Sequence, residues 1–294
     1  LLSVVIWIIR IAGPHFWFFL WVFLAIFSLA INVIYPLWII PLFNKLTPVQ
    51  DGELKSAVES LAKETSFPLG SILVMDGSKR SGHSNAFLTG LRGTKRVILY
   101  DTLLDKLSVP QILAILGHEF GHWKHSHLWK MFGLSQIHFF VFLCTFGFFL
   151  DDKELYAAFG FTSSRPCIIG LSLFSMVYQP VEMVVSFLFN LFSRKFEFQA
   201  DEFSTRLGLE LVTPLIKLHT DNLSTLIYDP LFSAYHHSHP TLLERVSAID
   251  ALGIKPRTYV PPPVVPTSTT TATAVTTATS DSTAAASRRN RRRS

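Results

Sequence analysis

The chain has 294 residues, of which 49% are hydrophobic and only 16% charged, and Phe alone occurs 26 times. With a mean hydropathy of +0.36, this composition excludes an ordinary soluble domain and points to a membrane protein. The formal charge of +5 comes partly from Arg288, Arg289, Arg291, Arg292 and Arg293; no stretch interleaves basic and aromatic residues as a nucleic-acid groove would, so no nucleic-acid partner is expected.

Leu1 to Ile9 is apolar but too short to cross a bilayer, and is expected to end a helix whose beginning lies upstream, with Arg10 and Gly13-Pro14 closing it. A start at Leu1, in mid-hydrophobic run and without Met, reads as a fragment or a processed form. No cleavable signal peptide is expected, because a basic start and a small-residue cleavage site are both missing. Phe16 to Ile40 then runs about 25 residues without a charge, enough for a full span. Trp17, Trp21, Tyr35 and Trp38 are its candidate interfacial anchors.

From Pro41 to Lys130 the character becomes soluble. Glu53 to Lys63 places Leu54, Ala57, Val58 and Leu61 on one helical face, while Ile72 to Met75 and Val97 to Tyr100 read as short strands. Between them, Ser78 to Phe87 reads as a turn running into another extended piece. A small sheet beside the next helix is expected from these extended pieces, with an edge on which a further strand can be added.

That helix opens near Pro110 and carries His118-Glu119-Phe120-Gly121-His122. Two histidines four apart project from one face, one turn apart, where they can share a tetrahedral Zn²⁺; Glu119 lies beside the metal, placed to take a proton from the attacking water. Gly117 and Gly121 each cost about 1 kcal/mol in a helix interior, which implies that something packs close to the backbone on either side of Glu119.

Met131 to Leu150 has no formal charge, and Cys167 to Ser193 carries only Glu182, so both read as spans. Pro180 is expected to break the second. Glu182, beside it, has either a functional or a structural hydrogen-bonding role. Cys144 and Cys167 read as buried thiols rather than a disulfide. The loop between the spans is acid-leaning, with Asp151, Asp152 and Glu154. The other side collects Lys79, Arg80, Arg92, Lys95, Arg96, Lys124, Lys130, Arg194 and Lys195, which makes it cytosolic by the positive-inside rule. Two spans return the chain to the side it left, so Glu197 and Asp201, four apart on one helical face, reach the compartment of His118 and His122. Glu197 is the expected third zinc ligand, with Asp201 orienting a ligand from behind. His236, His237 and His239 follow in a turn; one of them donating to an oxyanion is more economical than a second metal site.

The expected organisation is therefore transmembrane helices over 1–43, a cytosol-facing catalytic segment over 44–130, two spans with a short lumenal loop over 131–193, a second catalytic segment over 194–258, and a disordered Thr/Ala/Arg-rich tail over 259–294. The fold class is a mainly α-helical integral membrane protein with a zincin-like catalytic helix and a small β-sheet.

Several runs together resemble the type I CaaX prenyl proteases, the Ste24-like integral-membrane zinc metalloproteases of peptidase family M48. They are Ser78 to Ala86, Val97 to Leu104, Gly117 to Lys124, Ala157 to Phe161, Ser193 to Asp201, and Ser238-His239-Pro240 with Leu243-Glu244-Arg245. The resemblance implies a multi-span helical bundle around a chamber, in the endoplasmic-reticulum membrane and, in animals, the inner nuclear membrane, with the site on the cytosolic side. It implies removal of the last three residues of prenylated CaaX proteins by one Zn²⁺ per chain, held by His118, His122 and Glu197. Glu119 would be the catalytic base, Asp201 a supporting proton-transfer or orienting group, His239 a transition-state contact, and Asn85 and Arg245 substrate contacts. The family carries further membrane helices ahead of the point matching Leu1, and several relatives carry a long charged insertion near Leu107 to Pro110 that is short here. Two other readings stay open at this stage: a membrane quality-control protease that needs no prenyl group, and a zinc-stabilised inert scaffold, which the intact Glu119 disfavours.

Overall fold

The computed structural model describes residues 1–90, 94–225 and 228–263. Arg92, counted above among the basic residues of one side, and the tail from 264 lie outside these. Helix α1 (Leu2–Ala12) ends at Gly13, whose φ of 54° is a left-handed conformation open to glycine without strain. A 3₁₀ turn leads into α2 (Phe16–Ile34), and α1 packs on α2 around Ile9, Phe16 and Leu20. The apolar run continues through a π turn at Tyr35–Ile39 into α3 (Ile40–Phe43); Pro36 offers no N–H to an α-helical ladder, and the wider turn accommodates its absence.

The soluble half begins with β1 (Leu46–Pro48), α4 (Glu53–Thr65), β2 (Leu69–Met75), β3 (Ala86–Thr89) and β4 (Lys95–Tyr100), in a sheet of order β1-β2-β4-β3. β2 and β4 run parallel, with Ile72 beside Val97, and the outer strands are antiparallel to them. β3 is thus an edge strand, and it lies against the helix Val109–Lys124. After α5 (Asp101–Lys106), α6 (Val109–Lys124) starts at Ser108, whose backbone N–H donates to the Gln111 side chain at 3.1 Å, with Pro110 in the first turn. Ile112, Leu113, Leu116 and Phe120 are buried in the core on this helix, and Phe67 stacks on Phe120 at 4.1 Å.

Then come α7 (His127–Phe149), α8 (Lys153–Ala158) and α9 (Cys167–Arg206). The runs Leu2–Phe43, His127–Phe149 and Cys167–Arg206 are long and apolar enough to cross a membrane. They share a core of Phe16, Leu20, Leu143, Phe146, Phe174 and Tyr178. The break expected at Pro180 does not occur, because α9 passes through it uninterrupted. Proline removes one ladder bond, but unwinding the helix in hydrocarbon would expose more backbone groups, so the helix stays closed. Glu182 pairs with His138 of α7 at 3.0 Å, a partner the sequence did not name. At 1.5 Å per residue the 40 residues of α9 extend about 60 Å, twice the ~30 Å hydrocarbon thickness, so its C-terminal part stands beyond the bilayer.

α10 (Val212–Asp221), α11 (Pro230–His236) and α12 (Leu242–Ala251) complete the soluble half. Cys144 and Cys167 are free thiols rather than a disulfide, but both are half-buried, not buried as expected. Tyr259, the first residue of the expected tail, is still tied down: its hydroxyl donates to Glu53 at 3.0 Å, and nearby Arg257 makes two bonds of 2.9 Å to Glu64.

Candidate active site

Two helices build the site, and they meet closely because small residues line their crossing. A Cβ at Gly121 would lie 2.9 Å from the Ala200 Cα, and one at Gly117 would lie 2.8 Å from the Ser204 Oγ. Ser204 donates across the gap to the Ala114 carbonyl at 2.8 Å. The close neighbour implied by the two glycines is therefore α9, whose buried stripe of Phe196, Glu197, Ala200, Asp201 and Ser204 faces α6.

The crossing sets Glu197 opposite His118 and His122. The two Nε2 atoms are 3.1 Å apart, and the Glu197 carboxylate lies 3.5 Å from that of His118 and 3.3 Å from that of His122. A tetrahedron with metal–ligand bonds of 2.0–2.1 Å has edges of about 3.3–3.4 Å. The Glu197 distances belong to different oxygens, Oε2 toward His118 and Oε1 toward His122, so the carboxylate straddles the pair; three donors of zinc-binding type within 4.8 Å of one another can converge on a tetrahedral metal, with one corner left for a further ligand.

Behind them, the Asp201 carboxylate accepts from His118 Nδ1 at 2.8 Å, which turns the bare Nε2 toward the cluster. Arg245 donates to both Asp201 oxygens at 2.8 and 2.6 Å and stands 3.9 Å from Glu197. Glu119 is half-buried beside the two histidines. Burial pushes its carboxyl above the usual range, against the pull of His118 and His122.

Two family descriptions match the chain. The first, "CAAX prenyl protease N-terminal, five membrane helices", covers residues 1–45, and the second, "Peptidase family M48", covers residues 48–252. The chain belongs to peptidase family M48. It is 49% identical over 253 residues to a CAAX prenyl protease 1 homolog of Dictyostelium discoideum, covering 85% of this chain and 59% of that protein. It is 44% identical over 257 residues to CAAX prenyl protease 1 of Saccharomyces cerevisiae, covering 81% and 57%. The crystal structure of S. mikatae Ste24p superposes with a TM-score of 0.79 at 41% identity, over 85% of this chain and 62% of that one. The chain thus spans about three fifths of the length of the relatives it matches.

In this M48 chain His239 and Arg245 also reach the cluster. The His239 side chain is 67% exposed, with Nδ1 3.2 Å from Glu197; the hydrogen bond to that carboxylate, and its charge, push the imidazole up. His236 and His237 stand apart, against the rings of Phe232 and Tyr228. Asn85 is exposed at the head of the edge strand, its Oδ1 accepting from the Ala86 N–H at 2.8 Å. Arg245 gives its Nε and Nη2 to Asp201, with Nη1 3.9 Å from Glu197.

Sequence reasoning did not single out the residues that hold His239 in place. Buried Arg194 donates to the Ser233 hydroxyl at 2.9 Å, to the His239 carbonyl at 3.2 Å and to Glu244 at 2.6 Å. A signal was available, since Arg194 precedes Glu197 by three residues and so shares its helical face. For His127 and Gln199, which lie behind His122, the sequence carried only a histidine five places after a ligand.

Proposed function

We propose that this chain carries the catalytic machinery of a membrane zinc endopeptidase that removes the C-terminal tripeptide from prenylated CaaX proteins. One observation carries the reading: His118, His122 and Glu197 converge to within 4.8 Å beside Glu119, on helices at the end of two membrane-crossing runs. The CAAX prenyl protease relatives supply the substrate class.

His118, His122 and Glu197 would hold one Zn²⁺, which when bound supplies Lewis-acid polarisation of the scissile carbonyl and acidifies water. Asp201 holds the imidazole of His118 in the tautomer that offers Nε2, and Arg245 balances the charge of Asp201. Glu119 takes the proton of the attacking water and returns it to the leaving amine; a carboxyl raised by burial is suited to that exchange near neutral pH. The exposed His239 ring, held by Arg194 through its own backbone, donates to the oxyanion. The free edge of β3 takes the substrate backbone as an added strand, with Asn85 at its head fixing the register and Arg245 near the cluster as a further contact.

The prenyl group and the bilayer belong to one argument: a site at the membrane face receives a lipid-anchored chain end without extracting it. Lys79, Arg80, Lys95, Arg96, Lys124, Lys130, Arg194 and Lys195 on the site's side support a cytosolic orientation, and the membrane proposed from the family resemblance is that of the endoplasmic reticulum. The test is hydrolysis of a CaaX peptide in detergent, with and without its isoprenoid, against a Glu119→Gln control. Chelator-sensitive cleavage of only the prenylated peptide is expected. Equal cleavage of both peptides overturns the substrate assignment, and cleavage by the Glu119→Gln protein overturns the assignment of the base.

A further inference from the structure

His122 turns Nε2 toward the cluster, so its Nδ1 faces away, and that atom lies 3.0 Å from the Nδ1 of His127. The Nε2 of His127 in turn lies 3.0 Å from the Oε1 of Gln199. His127 opens α7 just after Ser126, which takes a left-handed φ of 56°. The His127 ring is buried and stacks on Phe196 at 4.3 Å, within 8° of parallel.

The direction of the protons along this chain follows from chemistry. If His122 uses the Nε2 lone pair for a metal, its Nδ1 carries hydrogen and must donate; His127 Nδ1 must then accept, and His127 Nε2–H donates to Gln199. The reverse order would require a bare Nδ1 on His122 while Nε2 is bound, which is an imidazolate. Gln199 has no charge and no proton to exchange, so it fixes one tautomer of His127, and His127 fixes one tautomer of His122.

We propose that His127, held by Gln199, is a positioning residue of the metal centre that sets the tautomer and ring orientation of His122. The inference rests on reading His118, His122 and Glu197 as a metal site. His118 has a carboxylate behind it and His122 a neutral imidazole, so the two ligands are supported differently. The support of His122 comes from the first residue of one membrane-crossing helix and from a residue on another. Metal affinity is thereby tied to how α7 and α9 pack.

The experiment uses the chain in detergent, stripped of metal and then titrated with Zn²⁺ against a chromogenic chelator and with Co²⁺ followed by its visible absorption. His127→Phe keeps a ring on Phe196 but offers no acceptor, and is expected to weaken Zn²⁺ binding about 10–100-fold and alter the Co²⁺ bands. His127→Asn, whose Oδ1 stands near the place of Nδ1, is expected to recover most of the affinity, and Gln199→Leu to fall between. A His127→Phe protein with wild-type Zn²⁺ affinity and unaltered Co²⁺ bands overturns the inference; if that variant does not fold, unaltered bands in Gln199→Leu do so. A wild-type chain that takes up no Zn²⁺ overturns the underlying metal reading instead.

Discussion

One methyl group tests the α6–α9 crossing. Gly121→Ala places a Cβ 2.9 Å from the Ala200 Cα, 3.1 Å from its carbonyl oxygen and 3.1 Å from the Phe203 Cβ. Two of those atoms are backbone, so no rotamer change relieves the contact. α9 must retreat by roughly 0.5–1 Å to restore ordinary spacing near 3.5–4.0 Å. Alanine recovers about 1 kcal/mol of helix propensity, and overpacking costs about 1–3 kcal/mol. Metal-free stability therefore falls by roughly 0–2 kcal/mol. The retreat acts harder on the site. Glu197 rides on the same helix three residues before Ala200, and its two oxygens stand 3.3 and 3.5 Å from the Nε2 atoms of His122 and His118, close to the spacing that a shared metal requires. Widening these separations by the same distance is expected to cost about tenfold or more in Zn²⁺ affinity. Denaturant unfolding of the metal-free chain in detergent and Zn²⁺ competition titration measure the two effects separately. Gly133→Ala is the control, since a Cβ there meets nothing within 4 Å; it should gain up to about 1 kcal/mol and leave the metal untouched. Wild-type Zn²⁺ affinity in a Gly121→Ala chain as stable as the parent would refute the reasoning.

Glu197→Ala removes one of three converging donors and is expected to abolish stoichiometric Zn²⁺ retention after gel filtration, while Glu119→Gln keeps the metal and loses turnover. Asp201→Asn leaves Arg245 buried without its charge partner and His118 without a carboxylate, so Zn²⁺ affinity should fall about 10–100-fold, read by the same titration. At Glu244 burial tends to raise the carboxyl, but the N–H and hydroxyl of Thr241, with Arg194 beside it, hold it below its ordinary value. Its contribution is then fully present above the ordinary pKa of about 4.3 and is lost as pH falls through the lower folded value. Glu244→Gln should cost about 1 kcal/mol at pH 7, and the gap to wild type in denaturant unfolding should close below about pH 4.

The parts of this molecule legible in its sequence were those written in a local period. The apolar runs, the four-residue spacing of His118 and His122 and that of Glu197 and Asp201 each follow from the rise and turn of one helix. The return of α9 to the side of α6 followed from counting two spans. Pro180 misled, because the local cost of a proline is outweighed where the surroundings are hydrocarbon and every opened carbonyl lacks a partner. Arg194, Glu244, His127 and Gln199 escaped because their roles are relations between segments: Arg194 and Glu244 are 50 residues apart, His127 and Gln199 72. No period along the chain records such a pairing.

Those long-range pairs also explain why the metal centre belongs at a membrane surface. α6 supplies two donors and is fixed by the soluble core through Phe120, Leu116 and Leu113. The third donor sits on α9, whose other end is fixed among Phe174, Tyr178 and Phe146 in the membrane core. Since α9 runs unbroken between the two, it acts as a lever about 1.5 Å long per residue. Over about 30 Å a tilt near 2° moves Glu197 by roughly 1 Å, as far as the methyl of Gly121→Ala would push it. The Ser204 bond to the Ala114 carbonyl and the contact of Ala200 with Gly121 oppose that tilt at the site itself. The two glycines of α6 thus give up helix propensity to hold a membrane helix in register with His118 and His122.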